Sequence, residues 1–206
     1  REAGRWHEKW YSGRSMRIAS WIELSQSAYA ANVAVFRKVA GAGRLGVVLK
    51  GNAYGHGLEA TLSLAHALVD VLYVITPGEA AAIRAWEKTH GQPEREVLVL
   101  GALSPEACVE LARLNVSAVA ADRGFEAAVK SGVSIHVHLD TGLSREGFTL
   151  EQVRAGEADF LRGADVRGVM SHFANTEDVT EQSYARQQLA NFEAGLALLR
   201  ERIGLA

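Results

Sequence analysis

Residues 45–57 read LGVVLKGNAYGHG, a short apolar run followed by a lysine and a loop of small and polar residues. The apolar run has five later counterparts, which are DVLYVI (70–75), EVLVL (96–100), VSAVA (116–120), VSIHVHLD (133–140) and VRGVM (166–170). Continuous apolar runs of this length are typical of strands that are buried on both faces, as in a parallel sheet. The sequence therefore predicts six parallel strands.

Helical patterns separate these runs. Thr76 and Ser104 each precede a proline, with an acidic residue close behind, an order typical of a helix N-terminus. Apolar residues also recur at helical spacing before the first run and after the last one. They are Tyr29, Val33, Phe36 and Ala40 in the first helix, and Leu189, Phe192, Leu196 and Leu199 in the last.

Strands alternating with helices indicate the α/β class, and a repeat of about 20–30 residues suits a (β/α)8 TIM-type barrel of about 250 residues. The chain has 206 residues, begins with Arg rather than Met, and contains six such units. We therefore expect a barrel truncated after about six βα units, as part of a longer chain. An open doubly wound sheet is the alternative.

The expected domain organisation has three parts. Residues 1–16 form an N-terminal extension without fixed structure, 17–24 a short strand that leads into the fold, and 25–206 the barrel portion. The six-residue stretch from Gly41 to Gly46 matches G-x-G-x-x-G, but a dinucleotide-binding loop follows a strand and opens a helix. Here the order is reversed, which predicts a simple turn.

Charge and composition exclude several classes of function. The chain has 22 basic and 24 acidic residues, so it offers no strong field for nucleic acid or an anionic membrane. No apolar run approaches the ~20 residues of a membrane helix. The single cysteine, Cys108, excludes an internal disulfide and fits a reducing compartment, so we expect a cytoplasmic protein.

Lys50 is the first candidate functional residue, because it ends the first predicted strand. The carboxyl ends of barrel strands are where barrel active sites lie, and a partly desolvated lysine there is a nucleophile for an aldehyde. The backbone amides of the following loop offer donors to an anion, and Tyr54 places a phenol nearby. On composition alone, an ordinary solvated lysine is the more common interpretation.

Four segments resemble those of the alanine racemase family, in the family's order and spacing. VVLKGNAYGHG (47–57) resembles its cofactor-lysine motif K-A-x-A-Y-G-H-G, with Gly51 in place of the usual alanine. The others are SWIELSQSAYAANV (20–33), HLDTGLSREGF (138–148), similar to D-T-G-[ML]-x-R-x-G, and GVMSHFANTED (168–178). The resemblance reaches from about residue 17 to 206, and the four motifs together are highly specific.

The resemblance implies a pyridoxal 5'-phosphate enzyme that interconverts L- and D-alanine, supplying D-alanine for peptidoglycan, and that works as a homodimer. By the same resemblance, Lys50 binds the cofactor covalently and acts as one of two bases. Tyr54 contacts the cofactor phosphate, and Arg145 contacts the ring's phenolic oxygen and the substrate carboxylate. His172 lies beside the ring. No metal, nucleic acid or membrane partner is expected.

The chain departs from the family pattern in two ways. Many members carry a lysine at the position of His138, so Arg145 is expected to be braced either differently or less well here. We expect the family's seventh and eighth strands, and the C-terminal β domain that gives the partner subunit a catalytic tyrosine, to lie outside these 206 residues. The 206-residue piece alone is therefore expected to be inactive.

Two other functions remain open at this point. One is a single-domain pyridoxal-phosphate carrier without turnover, built on the same barrel. The other is a zinc-dependent barrel hydrolase, because His136, His138 and Asp140 alternate along one strand and so share a face, with His172 one strand later. Such hydrolases place the His-x-His pair on the first strand, whereas here it lies on the fifth.

Overall fold

The computed structural model describes residues 21–177 and 180–205. Within them, six short strands form one sheet, and each of the six apolar runs supplies one strand, as predicted. The strands are β1 (Gly46–Val48), β2 (Val71–Val74), β3 (Glu96–Val99), β4 (Ser117–Ala120), β5 (Ile135–His138) and β6 (Val166–Met170).

Helices alternate with these strands. They are α1 (Gln26–Ala40), α2 (Lys50–Tyr54), α3 (Leu58–Ala65), α4 (Pro77–Thr89), α5 (Pro105–Arg113), α6 (Glu126–Val129), α7 (Leu150–Ala155) and α8 (Ser183–Ile203). Thr76 and Ser104 cap α4 and α5 with their side chains, as the sequence indicated. Among the described residues, no helix combines the length and apolarity needed to cross a membrane.

All neighbouring strands are parallel, and their order in the sheet follows the chain from β1 to β6. In a doubly wound sheet, the order in which successive strands are added reverses at a switch point. The order from β1 to β6 contains no such reversal. Because the sheet always grows in one direction, the connections stay on one side and the sheet curls into part of a barrel. A barrel-type sheet of six βα units is confirmed, and the doubly wound alternative is wrong.

The core lies between the sheet and its helices. Alternate strand residues such as Leu72, Val74, Val97 and Val99 are buried there with the apolar faces of the helices. The other face of the strands, which lines the inside of the partial barrel, carries residues such as Tyr73, Leu98 and His138. The carboxyl ends of all six strands meet at one rim, and this rim positions the candidate site.

Two details differ from the sequence-based expectations. The expected strand over 17–24 is absent over its described part, 21–24, where Trp21 and Ile22 are exposed and no neighbouring strand offers backbone partners. Residues 1–16 lie outside the described residues. In α1, Val33 packs on the core but Phe36 is exposed, because the helix docks through Arg37, which binds Asp70 and the Leu68 carbonyl.

Candidate active site

The α2 segment, Lys50–Tyr54, follows β1 and is a left-handed turn rather than a regular α-helix. It carries Lys50. Four consecutive residues are left-handed, with φ of 63° at Gly51, 55° at Asn52 and at Ala53, and 53° at Tyr54. Left-handed backbone costs about 1–2 kcal/mol for a residue with a Cβ. Three of the four have one, so the surrounding contacts must hold this turn in place.

Hydrogen bonds within the turn supply part of that support. The Ala53 amide donates to the Leu49 carbonyl at 2.8 Å, and the Gly55 amide donates to the Gly51 carbonyl at 3.0 Å. The Asn52 side-chain oxygen accepts from the Leu58 amide at 2.7 Å, which fastens the turn to the start of α3. Strained backbone maintained in this way is typical of functional sites.

The turn sets the positions of two predicted site residues. The Lys50 Nζ lies 6.0 Å from the centroid of the Tyr54 ring, and 63% of Tyr54 is exposed. Both therefore lie at the carboxyl rim of β1, one with an amine and the other with a free phenol. This pair forms the first half of the candidate site.

The loop after β5 carries Arg145. Backbone hydrogen bonds from Asp140 to Phe148 and from Phe148 to His138 close the loop. Within it, one Asp140 carboxylate oxygen accepts from the Gly142 and Ser144 amides at 2.9 and 3.0 Å. The Arg145 guanidinium is 54% exposed and contacts the adjacent Glu146 at 3.1 Å. An exposed pair of this kind contributes little stability, so the guanidinium is free to turn toward a ligand.

His138 lies beneath that loop and is almost completely buried. Burial lowers its pKa, opposed by the Glu146 charge and reinforced by the positive charges of Arg145 and His172. A Cβ on Gly147 would collide with the His138 imidazole, which explains the glycine at this position. Arg145 contacts Glu146 at 3.1 Å, and no hydrogen bond to His138 is described for it.

The loop after β6 carries His172, which is exposed. Gln188 of α8 is buried and ties this loop to its neighbour: its amide nitrogen donates to the His172 carbonyl at 3.1 Å and to the Thr141 hydroxyl at 3.4 Å. Its oxygen accepts from the Ala174 amide at 2.9 Å. A cavity of about 470 Å³ lies beside it, lined by residues 171–174, Thr176 and Glu177.

The four predicted residues thus fall into two groups at the same rim. Lys50 and Tyr54 share the turn after β1, while Arg145 and His172 occupy the two neighbouring loops tied by Gln188. Chemically, the set offers an amine that condenses with aldehydes, a phenol, a planar guanidinium and an imidazole. Another cavity, of about 380 Å³, lies between Arg84, Glu94 and Asn115, before the amino ends of β3 and β4, and contains none of the four.

The geometry does not support the zinc alternative. His136 pairs with Glu96 at 3.3 Å near the amino ends of the strands, and burial lowers its pKa more than Glu96 raises it. Asp140 is engaged by two backbone amides. Across residues 21–177 and 180–205, no three His, Cys, Asp or Glu side chains are arranged to hold a metal ion.

Two residues at this rim escaped the sequence-based analysis. Glu79 was seen only as an acidic residue at the start of α4, although its carboxylate also binds the Asn52 amide of the turn after β1. Gln188 is one of two adjacent glutamines on α8, and nothing in the local sequence separates the buried one from the exposed one. Both residues bind partners far away in the chain, and local sequence patterns do not predict such contacts.

Comparisons with known proteins agree with this geometry. A family model described as "Alanine racemase, N-terminal domain" matches residues 24–205. An alanine racemase of Desulforamulus reducens is 31% identical over 205 residues, covering 91% of this chain and 52% of its own length. "Alanine racemase 2" of Caldanaerobacter subterraneus subsp. tengcongensis is 34% identical over 166 residues, covering 75% of this chain and 41% of its own length.

Solved structures show the same relationship. The alanine racemase of Corynebacterium glutamicum superposes with a TM-score of 0.73 at 26% identity, covering 86% of this chain and 51% of its own. A histidine racemase of Leuconostoc mesenteroides subsp. sake shares the fold, with a TM-score of 0.71 at 24% identity, over 82% of this chain and 47% of its own. The chain spans about half the length of the relatives it matches.

Proposed function

Since the chain belongs to the alanine racemase N-terminal domain family, we propose that it is the cofactor-binding barrel portion of a pyridoxal-phosphate-dependent racemase that interconverts L- and D-alanine. The observation that carries this proposal is Lys50 on its strained, left-handed turn at the carboxyl rim. The rim of a barrel is where such enzymes place their chemistry. The curated relatives, named alanine racemases, favour turnover over the carrier alternative.

The residues at the rim fit pyridoxal 5'-phosphate. The cofactor presents an aldehyde, a phosphate and a phenolic oxygen, and the rim offers an amine, a phenol and a guanidinium to match them. Tyr54 and Arg145 are both more than half exposed, so their donors are available to a ligand. When bound, the cofactor's ring acts as an electron sink that makes the substrate's Cα proton acidic.

Each residue then has a distinct task. The Lys50 amine would hold the cofactor and would take up or return a proton at the substrate Cα on its own side. The Tyr54 hydroxyl would donate to the phosphate. The rigid donor fork of Arg145 suits both the phenolic oxygen and the substrate carboxylate, and His172 orients the ring from the adjacent loop.

The family also suggests the setting of the whole protein. We infer a cytoplasmic homodimer whose substrate is alanine and whose product supplies peptidoglycan with D-alanine. Racemisation needs a second proton-transfer group on the face opposite Lys50. In this proposal the partner subunit provides it.

Covalent trapping tests the proposal directly. Purified protein is incubated with pyridoxal phosphate, reduced with borohydride, and mapped by peptide mass spectrometry. We expect label on Lys50 among the five lysines of the chain, and loss of that label and of the visible absorbance in Lys50→Ala. Lys130→Ala, which changes an exposed lysine on another element, is the matched control. Label spread over several lysines and unaffected by Lys50→Ala would contradict the proposal.

A further inference from the structure

We propose that Glu79 is a positioning residue that fixes the Lys50 turn in its left-handed form and so sets the reactivity of Lys50 toward pyridoxal phosphate. This inference rests on the proposed function, since it concerns the same lysine. It assigns a role at the site to a residue of a different element, the first turn of α4.

One carboxylate joins three backbone segments. Its Oε1 accepts from the Asn52 amide at 3.1 Å, while its Oε2 accepts from the Ile75 and Thr76 amides at 3.0 and 3.2 Å. The Glu79 amide in turn donates to the Thr76 hydroxyl at 3.1 Å. The turn after β1, the end of β2 and the start of α4 are therefore locked together through this side chain.

The carboxylate is kept charged for this task. Partial burial raises the pKa of Glu79, but hydrogen bonds from the backbone amides of Ile75, Asn52, Thr76 and Gly51 outweigh it and hold the pKa below its usual value. Hydrogen bonds to an ionised acceptor are stronger than neutral ones. The N-terminus of α4 adds a favourable positive potential.

Glu79 supports the turn from outside its own stretch of chain. The other hydrogen bonds described for residues 51–54 join them to residues between 49 and 58, so among the described bonds only the one to Glu79 reaches the next βα unit. Glu79 belongs to the rigid βα unit that follows, and it anchors the Asn52 amide to that unit. A residue held in a costly conformation persists when its surroundings over-determine it.

Only Gly51 separates Lys50 from the anchored Asn52. If the Asn52 anchor is lost, the turn can relax toward right-handed or extended backbone, which is cheaper for Asn52, Ala53 and Tyr54. The Lys50 amine then spends less time at the rim beside Tyr54. The expected effect is slower and less complete cofactor capture, and not a general loss of fold.

The experiment compares two capping residues. Gln152 closes the same kind of capping box on α7, with Thr149, but has no described contact with the Lys50 turn. Glu79→Ala, Gln152→Ala and the unmodified chain are each incubated with pyridoxal phosphate, trapped with borohydride, and scored for label on Lys50 per folded molecule. We expect about a tenfold lower trapping rate in Glu79→Ala, the factor that corresponds to about 1.4 kcal/mol. Gln152→Ala should trap like the unmodified chain, and Glu79→Gln, which keeps one acceptor, should lie between.

Equal trapping by Glu79→Ala and Gln152→Ala would overturn the inference, whereas failure of the unmodified chain to trap at Lys50 would instead remove the proposed function. Should Glu79→Ala not fold, the unmodified chain is followed by NMR through an acid titration. The Asn52 amide proton should then shift with the protonation of Glu79, at a midpoint below the ordinary glutamate pKa. An Asn52 amide that does not respond would also overturn the inference.

Discussion

Arg145 is expected to change its environment on the proposed binding of cofactor, because in the structure its guanidinium is more than half exposed and contacts only Glu146 among its described partners. If its fork holds the phenolic oxygen, Arg145→Lys should change how the visible absorbance of the loaded protein depends on pH, since a point charge does not reproduce a planar fork. Arg113→Lys, on the exposed face of α5, is the control. Identical spectra from pH 6 to 10 would assign Arg145 a structural role only.

Cys108 lies in the core and gives a prediction about alkaline pH. Burial raises the pKa of its thiol to about 11. Its unfolded value is lower, so above the unfolded pKa the unfolded chain releases a proton that the folded chain retains, and stability falls as pH rises through that range. We expect no reaction with a thiol reagent in the native state at pH 8, full reaction after unfolding, and a flatter alkaline stability profile in Cys108→Ala. Rapid native-state labelling would contradict this.

At the residue scale, the sequence identified the groups that carry chemistry but not the groups that place them. Lys50 was predictable because strand, lysine and loop follow one another in the chain. Glu79 was not, because a capping glutamate has the same local pattern whether or not it also binds a turn 27 residues earlier. His138 was flagged as a departure, yet its burial beneath Gly147 became visible only in three dimensions.

At the scale of elements, hydrogen bonds from α8 hold the loop after β5 and the loop after β6 in place. Besides the bonds of Gln188, Tyr184 donates to the Gly142 carbonyl and Asn191 to the Thr141 carbonyl. Gln188→Ala removes the hydrogen bonds of a buried side chain to the His172 carbonyl, the Ala174 amide and the buried Thr141 hydroxyl, a loss that typically costs about 1–3 kcal/mol. Chemical denaturation should show this loss in the free energy of unfolding.

The neighbouring glutamine provides the comparison. Gln187 is exposed on the same helix, and Gln187→Ala should be nearly neutral. Equal effects of the two substitutions would mean that the contacts of Gln188 are not maintained in solution.

Helix faces were the least predictable feature of the elements. Helical spacing grouped Phe36 with Val33 in α1 and Leu189 with Leu199 in α8, yet Phe36 and Leu189 are exposed. In α1 the polar Arg37 lies in the contact because Asp70 and the Leu68 carbonyl are there to receive it. The spacing of apolar residues in α1 does not reveal that Arg37 binds Asp70, which lies 33 residues away in the chain.

At the scale of the whole molecule, the strand positions were predictable and the sheet order was not. The apolar runs located all six strands because strands buried on both faces need continuous apolar sequence. Both a barrel and a doubly wound sheet fit those runs, and only the uninterrupted order from β1 to β6 distinguishes them.

The 206-residue polypeptide by itself is not expected to racemise alanine. Among the tyrosines that the structure describes, Tyr54 shares the Lys50 turn and Tyr184 is bonded to Gly142, while burial raises the pKa of Tyr29 and of Tyr73. We therefore expect none of these four to transfer a proton on the face opposite Lys50. In heavy water with pyridoxal phosphate, we expect deuterium to enter L-alanine at Cα without formation of D-alanine. Racemisation at about 10 per second, the typical enzyme median, would refute this.

The uninterrupted order of the sheet also bears on how the chain acquires its structure during synthesis. Each strand pairs with the strand made just before it, so every new βα unit finds its docking surface already exposed on the nascent chain. Pairing between consecutive units keeps the sequence separation of contacts low for a parallel sheet, which favours faster folding, and folding during synthesis proceeds from the N-terminus. The turn bearing Lys50 would then gain its Glu79 anchor once the second unit has emerged, long before the loops of Arg145 and His172 exist.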